Sequence, residues 1–169
     1  MNTIDPAFFL QDAVSLAQKL LGKTIVRTLD DGAELRFLIT ETEAYFGVED
    51  LACHASKGRT PRTEIMYAAG GHIYVYLIYG MHWMFNIVSG QKGHPEAVMI
   101  RNLHNIKGPG RVGKALQLDK SFYGEYLNAS TRIRIEDAPE IKTFSCSPRI
   151  GIDYAGEYWK NKPWRFTLK

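Results

Sequence analysis

Two runs of β-forming residues, 73–78 and 83–88, flank Tyr79-Gly80-Met81-His82, a pattern that folds as an antiparallel hairpin and as little else. Strand alternation puts Tyr74 and Tyr76 on one face. The segment HIYVYLIYGMHWMFN, residues 72–86, carries five Tyr, Trp and Phe rings around that single turn. Hairpin tyrosines are ordinarily core residues. Tyr79 is placed differently, because a ring at the apex cannot easily join a core but can slide between base pairs.

The rest of the pattern agrees with antiparallel strands. Asp12 can cap a helix running to Leu21, with Val14, Ala17, Leu20 and Leu21 on one face and Gly22 as its stop. Residues 23–29 and 34–45 look like strands joined by Asp30-Asp31-Gly32. Thr60-Pro61 has the form of a cap and first-turn proline opening a short helix to about Ala68, closed by Gly70-Gly71. Further strands are expected at 97–103, 131–136 and 164–168, with a helix at about 112–118, an extended PRIGI at 148–152 and a helical turn near 155–159. Strands outnumber helices and are linked mainly by hairpins. The expected class is therefore α+β: one domain over residues 1–169, with a mostly antiparallel, curved sheet flanked by short helices.

With 169 residues, 45% of them apolar, the chain can bury a core without disulfide or metal staples. No apolar run approaches the ~20 residues of a membrane span, and the first residues lack the features of a signal peptide, so a cytoplasmic location is expected. Cys53 and Cys146 are isolated and read as reduced packing residues. The net charge of +3 divides unevenly: residues 1–100 hold 8 Lys/Arg against 11 Asp/Glu, and residues 101–169 hold 13 against 7. Such a skew suits a polyanionic partner such as DNA or RNA, and equally a solvated basic face.

Along strand 34–45, Leu35, Phe37 and Ile39 share a face, and strict alternation carries that face on to Glu41, Glu43 and Tyr45. Glu43 is the preferred chemical carboxylate and Glu41 its rival, because an acid continuing an apolar face needs a reason to be there. The strand pattern equally allows a strand-end carboxylate bonded to backbone or arginine. The five histidines, His54, His72, His82, His94 and His104, form no HExxH or HxH spacing, so no metal site is expected. There is no GxSxG elbow and no Cys-His nucleophile arrangement. In GPGRVGKAL a glycine-rich loop, 107–110, feeds a helix whose start suits a phosphate, with Arg111 and Lys114 beside it. Ala115 after Lys114 excludes a Walker A loop, and a plain capping loop would give much the same letters.

Taken together, ETEAY at 41–45, His54, TPR at 60–62, YVYLIYGM at 74–81, Asn86, Arg101, GPGRVGKAL and PRIGI closely resemble the alkyladenine (3-methyladenine) DNA glycosylase family, in family order over nearly the whole chain. The resemblance implies an enzyme that flips a damaged purine, such as 3-methyladenine or hypoxanthine, out of duplex DNA and hydrolyses its N-glycosidic bond without metal or cofactor. By position, Glu43 corresponds to the base that activates water, with Arg101 and the backbone of Ile150 helping to hold that water. Tyr45, His54 and Tyr76 match the residues that sandwich the flipped base; the His54 amide meets the purine edge and Tyr74 supports the histidine. Tyr79 matches the intercalating wedge, and Asn86 the residue that crowds the exocyclic amine of guanine. Arg62, Arg111 and Lys114 are the expected phosphate contacts. No Schiff-base lysine is carried over, so no strand-cleaving lyase activity is expected.

Two positions depart from the family pattern: Thr63 stands where asparagine is common, and His82-Trp83 lies in variable territory. A minimal bacterial-type enzyme, a monomer without the long basic N-terminal extension of some relatives, is the expected comparison. Two rivals from other classes stay open here: a nucleic-acid binding module using the same aromatics without hydrolysis, and a hydrolase or transferase of a small planar substrate.

Overall fold

The computed structural model describes residues 2–169 as an α+β fold built on one nine-stranded sheet in which every pairing is antiparallel. Its strands are β1 (Thr24–Thr28), β2 (Glu34–Tyr45), β3 (Ile73–Ile78), β4 (His82–Ser89), β5 (Glu96–Leu103), β6 (Ile106–Lys107), β7 (Ile133–Glu136), β8 (Phe144–Ser147) and β9 (Arg165–Leu168). The main path is β3-β4-β5-β2-β1-β7; β6 pairs with β5, and β9 joins β2 to β8. β2 is the hub, since β1 takes its first half while β5 and β9 take the two edges of its second half.

Three short helices accompany the sheet: α1 (Ala13–Leu20), α2 (Pro109–Ala115) and α3 (Gly156–Lys160). Asp12 caps α1 by accepting from the Ser15 amide at 2.9 Å. The buried stripe of α1 is Ala13, Leu16, Ala17 and Leu20, so the half-buried Val14 is not part of it and Leu21 lies beyond the helix. α2 begins at Pro109, earlier than the expected 112, and packs so closely on β4 that a Cβ on Gly113 would lie 2.0 Å from the Trp83 carbonyl oxygen. The helix expected from Thr60 is instead a turn followed by one 3₁₀ segment, Glu64–Tyr67. Thr60 is spent on that turn, where its hydroxyl and amide engage Thr63. Strands β6 and β8 were not expected, and PRIGI is a loop.

A larger correction concerns β2. The register with β5 slips at Ile39/Glu41 and again at Glu41/Thr42, leaving Thr40 and Arg101 without opposite partners. Each strand thereby carries one extra residue, and both change phase at the same place. Ile39 belongs to the apolar core; beyond the slip that face continues through Thr42, whose hydroxyl donates to the Ala17 carbonyl of α1 at 2.7 Å, and Ala44. Glu41, Glu43 and Tyr45 therefore point away from the core on the other face. The carboxylates do not extend the core stripe.

The sheet so divides into two surfaces. Ile73, Val75, Phe85, Ile87, Val98 and Ile100 face the main core with α1 and α2. The alternate residues Tyr74, Tyr76, Met84, Asn86, Met99 and Arg101 face a smaller space covered by residues 46–68 and 148–155. Cys53 is buried in that second layer, but Cys146 is exposed, contrary to its expected packing role. Among the described residues no helix is long and apolar enough to cross a membrane.

Candidate active site

The second face of the sheet floors a cleft of about 230 Å³. β2 supplies Tyr45, β3 supplies Tyr74 and Tyr76, β4 supplies Asn86, and β5 supplies Arg101; His54 comes from a 3₁₀ segment, His54–Lys57, and Ile150 from the PRIGI loop. Alternation, shifted in phase by the slip between β2 and β5, puts the five strand residues on this face, and His54 and Ile150 close over them, so seven of the expected site residues share one small volume.

The rings form an edge-on wall. His54 lies 4.6 Å from Tyr76 between centroids, at 68°, and its Nδ1 is 2.8 Å from the Tyr74 hydroxyl. Tyr45, His54 and Tyr76 all line this cleft. Burial, reinforced by the charges of Arg62 and Lys57, lowers the His54 pKa to about 4. The ring is therefore neutral near pH 7 and presents an uncharged stacking surface. Burial likewise raises the Tyr74 hydroxyl to about 12 and holds those of Tyr45 and Tyr76 above their ordinary value. All three tyrosines stay protonated.

Glu43 is fully buried and does not itself line the cleft, but its partners do. The Ile150 amide donates to Oε2 at 2.7 Å, while Arg101 Nη1 and the Tyr45 hydroxyl donate to Oε1, each at 3.3 Å. Burial raises the Glu43 pKa, and the attraction of Arg101, the Ile150 amide and the Tyr45 hydroxyl only partly offsets it. Glu41 is committed elsewhere: Arg101 Nε is 3.1 Å away, Arg165 Nη1 3.3 Å, and Asn102 donates at 2.9 Å. Both acids meet Arg101, but Glu43 is the one whose three donors all line the cleft.

Asn86 is buried opposite Tyr74 and donates to its carbonyl at 3.2 Å. Tyr79 stands at the hairpin apex, 87% exposed and with φ 53, a left-handed conformation that a tyrosine rarely adopts. Arg111 and Lys114 are exposed on α2, whose Pro109 borders the cleft. Arg62 lies over the Tyr76 ring at 4.9 Å, against the pocket wall. Thr63 is buried in its loop and donates to the Gly58 carbonyl at 3.0 Å.

Several residues of the site were not foreseen. Tyr154 borders the cleft and donates to the Ala52 carbonyl at 3.1 Å, and Met99 lies beside Asn86 on the floor. Asp50 and Arg149 form a wholly buried ion pair beneath the rim. Their only sequence signal is a charge set among apolar neighbours, which surface residues share. Among the described residues no group of three or more His, Cys, Asp or Glu is arranged to hold a metal ion.

Comparison with known proteins converges on one family. The sequence model described as methylpurine-DNA glycosylase matches residues 7–107 and 102–169. A protein of Natranaerobius thermophilus is 43% identical over 190 residues, covering 98% of this chain and 95% of the relative. One from Psychrobacter cryohalolentis is 42% identical (92% and 87% covered), and one from Methanocella arvoryzae 41% identical (100% and 94% covered). All three carry the name "Putative 3-methyladenine DNA glycosylase".

Proposed function

The chain belongs to the methylpurine-DNA glycosylase family and is a DNA glycosylase, and from that membership we propose that Glu43-activated water releases alkylated or deaminated purines flipped from duplex DNA. The observation that carries this reading is the position of Glu43. It is a buried carboxylate of raised pKa, and each of its three donors borders an aromatic cleft.

In the proposed reaction the flipped purine lies between Tyr45 and the His54–Tyr76 wall, where stacking contributes about 1 to 3 kcal/mol per base. A water held by Arg101, the Ile150 amide and Glu43 gives a proton to the Glu43 carboxylate as its oxygen bonds to C1′. The electron pair of the N-glycosidic bond leaves with the base, and the product is an abasic site. The departing bond leaves positive charge on the sugar, which the Glu43 anion stabilises. A cationic base such as 3-methyladenine leaves neutral. Hypoxanthine has to be protonated as it leaves, and the neutral His54 is no donor of a full positive charge. Tyr79 fills the vacated stack, Arg111 and Lys114 meet phosphates, Asn86 excludes guanine by crowding its amine, and no lysine forms a Schiff base. The working unit is proposed to be a monomer.

One observation favours a second reading. Glu43 is closed off by direct contacts, so it also has the form of a structural ion-pair partner. Water has to enter by loosening the 3.3 Å Arg101 or Tyr45 contact. Labelled duplexes containing 3-methyladenine or hypoxanthine, incubated with wild type and Glu43→Gln, decide between the two. Base release only by wild type is expected; equal release by both overturns the assignment.

A further inference from the structure

The peptide unit that presents an N–H to Glu43 joins Arg149 to Ile150, and Arg149 is the most heavily tethered side chain near the site. Its Nη1 and Nη2 grip the two oxygens of Asp50 at 2.5 and 2.9 Å, with both side chains wholly buried. The same guanidinium donates to the carbonyl of Ala44, next to Glu43, at 2.9 Å, and to that of Trp159 at 3.2 Å. It also lies 5.0 Å from the centre of the Tyr45 ring and 5.1 Å from that of Trp164. Asp50 in turn accepts from the amides of Phe46 and Ala52, each at 3.0 Å. One ion pair thus fixes the end of β2, the loop after it, α3 and the loop carrying Ile150.

Resting on the assignment of Glu43 above, we infer that Arg149 and Asp50 are positioning residues that set the Ile150 amide, and with it the water site and basicity of Glu43. Stability alone is a poor account of the pair. Two charges taken out of water recover little of their desolvation cost, and apolar residues of similar size commonly serve as well. What apolar side chains cannot do is hold two backbone carbonyls and a carboxylate at once in a planar fork. The guanidinium also supports the Tyr45 ring, so the stacking wall and the carboxylate share one anchor.

The test uses Asp50→Asn combined with Arg149→Met, which removes both charges and leaves neither buried alone. Single-turnover cleavage and half-saturating DNA concentration are measured across pH on a hypoxanthine duplex, beside wild type and Glu43→Gln. The groups facing Glu43 are Tyr45 and Glu41 on β2, Arg101 on β5, Arg165 on β9 acting through Glu41, and more distantly Tyr76 and Tyr154. None of these is substituted, so a moved acid limb reports the donors that the ion pair anchors, the Ile150 amide and, through its 5.0 Å contact with Arg149, the Tyr45 hydroxyl. A rate lower by about 100-fold with little change in half-saturation is expected. The acid limb should move to higher pH, because Glu43 loses a donor to its charged form. A partly unfolded enzyme loses amplitude without moving the limb. A folded double variant with wild-type rate and limb overturns the positioning role. If the double variant melts too low to assay, Arg149→Lys decides on the same two readings. Full activity in Glu43→Gln overturns the base assignment and this inference together, whereas its inactivity beside an unaffected Arg149 variant overturns the inference alone.

Discussion

Replacing Glu43 with glutamine should make the protein more stable and almost inactive. Burial raises the Glu43 pKa above its ordinary 4.5 despite three hydrogen-bond donors, so the folded site disfavours the anion. A group that binds its proton more tightly when folded lowers stability as pH rises from the unfolded value through the folded one. Above that window the loss is complete; below it, with the group protonated in both states, there is none. Glutamine has the same size and no charge, and Arg101 keeps Glu41 at 3.1 Å. Glu43→Gln should therefore melt higher than wild type at pH 7, by about 2–4 °C for each kcal/mol relieved, with the advantage vanishing near pH 4. Loss of a general base lowers the rate by about 10²- to 10⁴-fold. Thermal melts across pH 4 to 8, run beside single-turnover cleavage, read both effects. A variant that melts lower than wild type at pH 7 while still cleaving would refute the reasoning and make Glu43 an ordinary structural partner of Arg101.

Four further outcomes are expected. Tyr79→Gly, at φ 53, removes left-handed strain of about 1–2 kcal/mol, so melting should rise while cleavage of duplex falls; unchanged duplex activity would remove Tyr79 from DNA contact. In Gly113→Ala the new methyl meets the Trp83 carbonyl oxygen at 2.0 Å, a clash costing about 1–3 kcal/mol or more, and a melting temperature within a degree of wild type would contradict the close helix–strand packing. Arg111→Ala and Lys114→Ala should each weaken duplex binding regardless of sequence and reduce the salt slope by about 1, which titrations at several salt concentrations measure. Because His54 has a pKa of about 4, the activity ratio of wild type to His54→Gln should stay constant from about pH 5.5 to 8; a ratio that changes through the ordinary histidine pKa would show a titrating ring.

The hairpin, the antiparallel class and the cleft tyrosines were legible because they rest on strand alternation, a local property. The β3–β4 register confirms it: Tyr74 stands opposite Asn86 and Tyr76 opposite Met84, all on one face. The expected helix at Thr60 failed because Thr60 and Thr63 spend their side chains closing a turn, an option that cap-and-proline spacing does not distinguish from a helix start. Strand β8 was missed because Phe144–Ser147 is only four residues long, too short for its alternation to stand out, and acquires its conformation from pairing with β9. Asp50 and Arg149 were missed for a related reason. They lie 99 positions apart, and nothing local marks them as partners.

Glu43 was singled out for a reason that the fold reverses. Strict alternation from Leu35 would have made it the end of the core stripe, where an ionised acid beneath α1 has no use. The two slips around Glu41 exchange the faces instead, so that Thr42 and Ala44 take the core and Glu41, Glu43 and Tyr45 the opposite face, where Tyr45 lines the cleft. The same slip leaves Arg101 unpaired on β5 and turns it toward both acids. A single local irregularity thus supplies the carboxylate, its guanidinium partner and the aromatic beside them, while the ladder continues on either side. Bulges of this kind re-aim side chains without dismantling a sheet. That is why the residues a site needs can come from the two most heavily paired strands of the fold, β2 and β5, where the rigidity needed to hold a water is greatest.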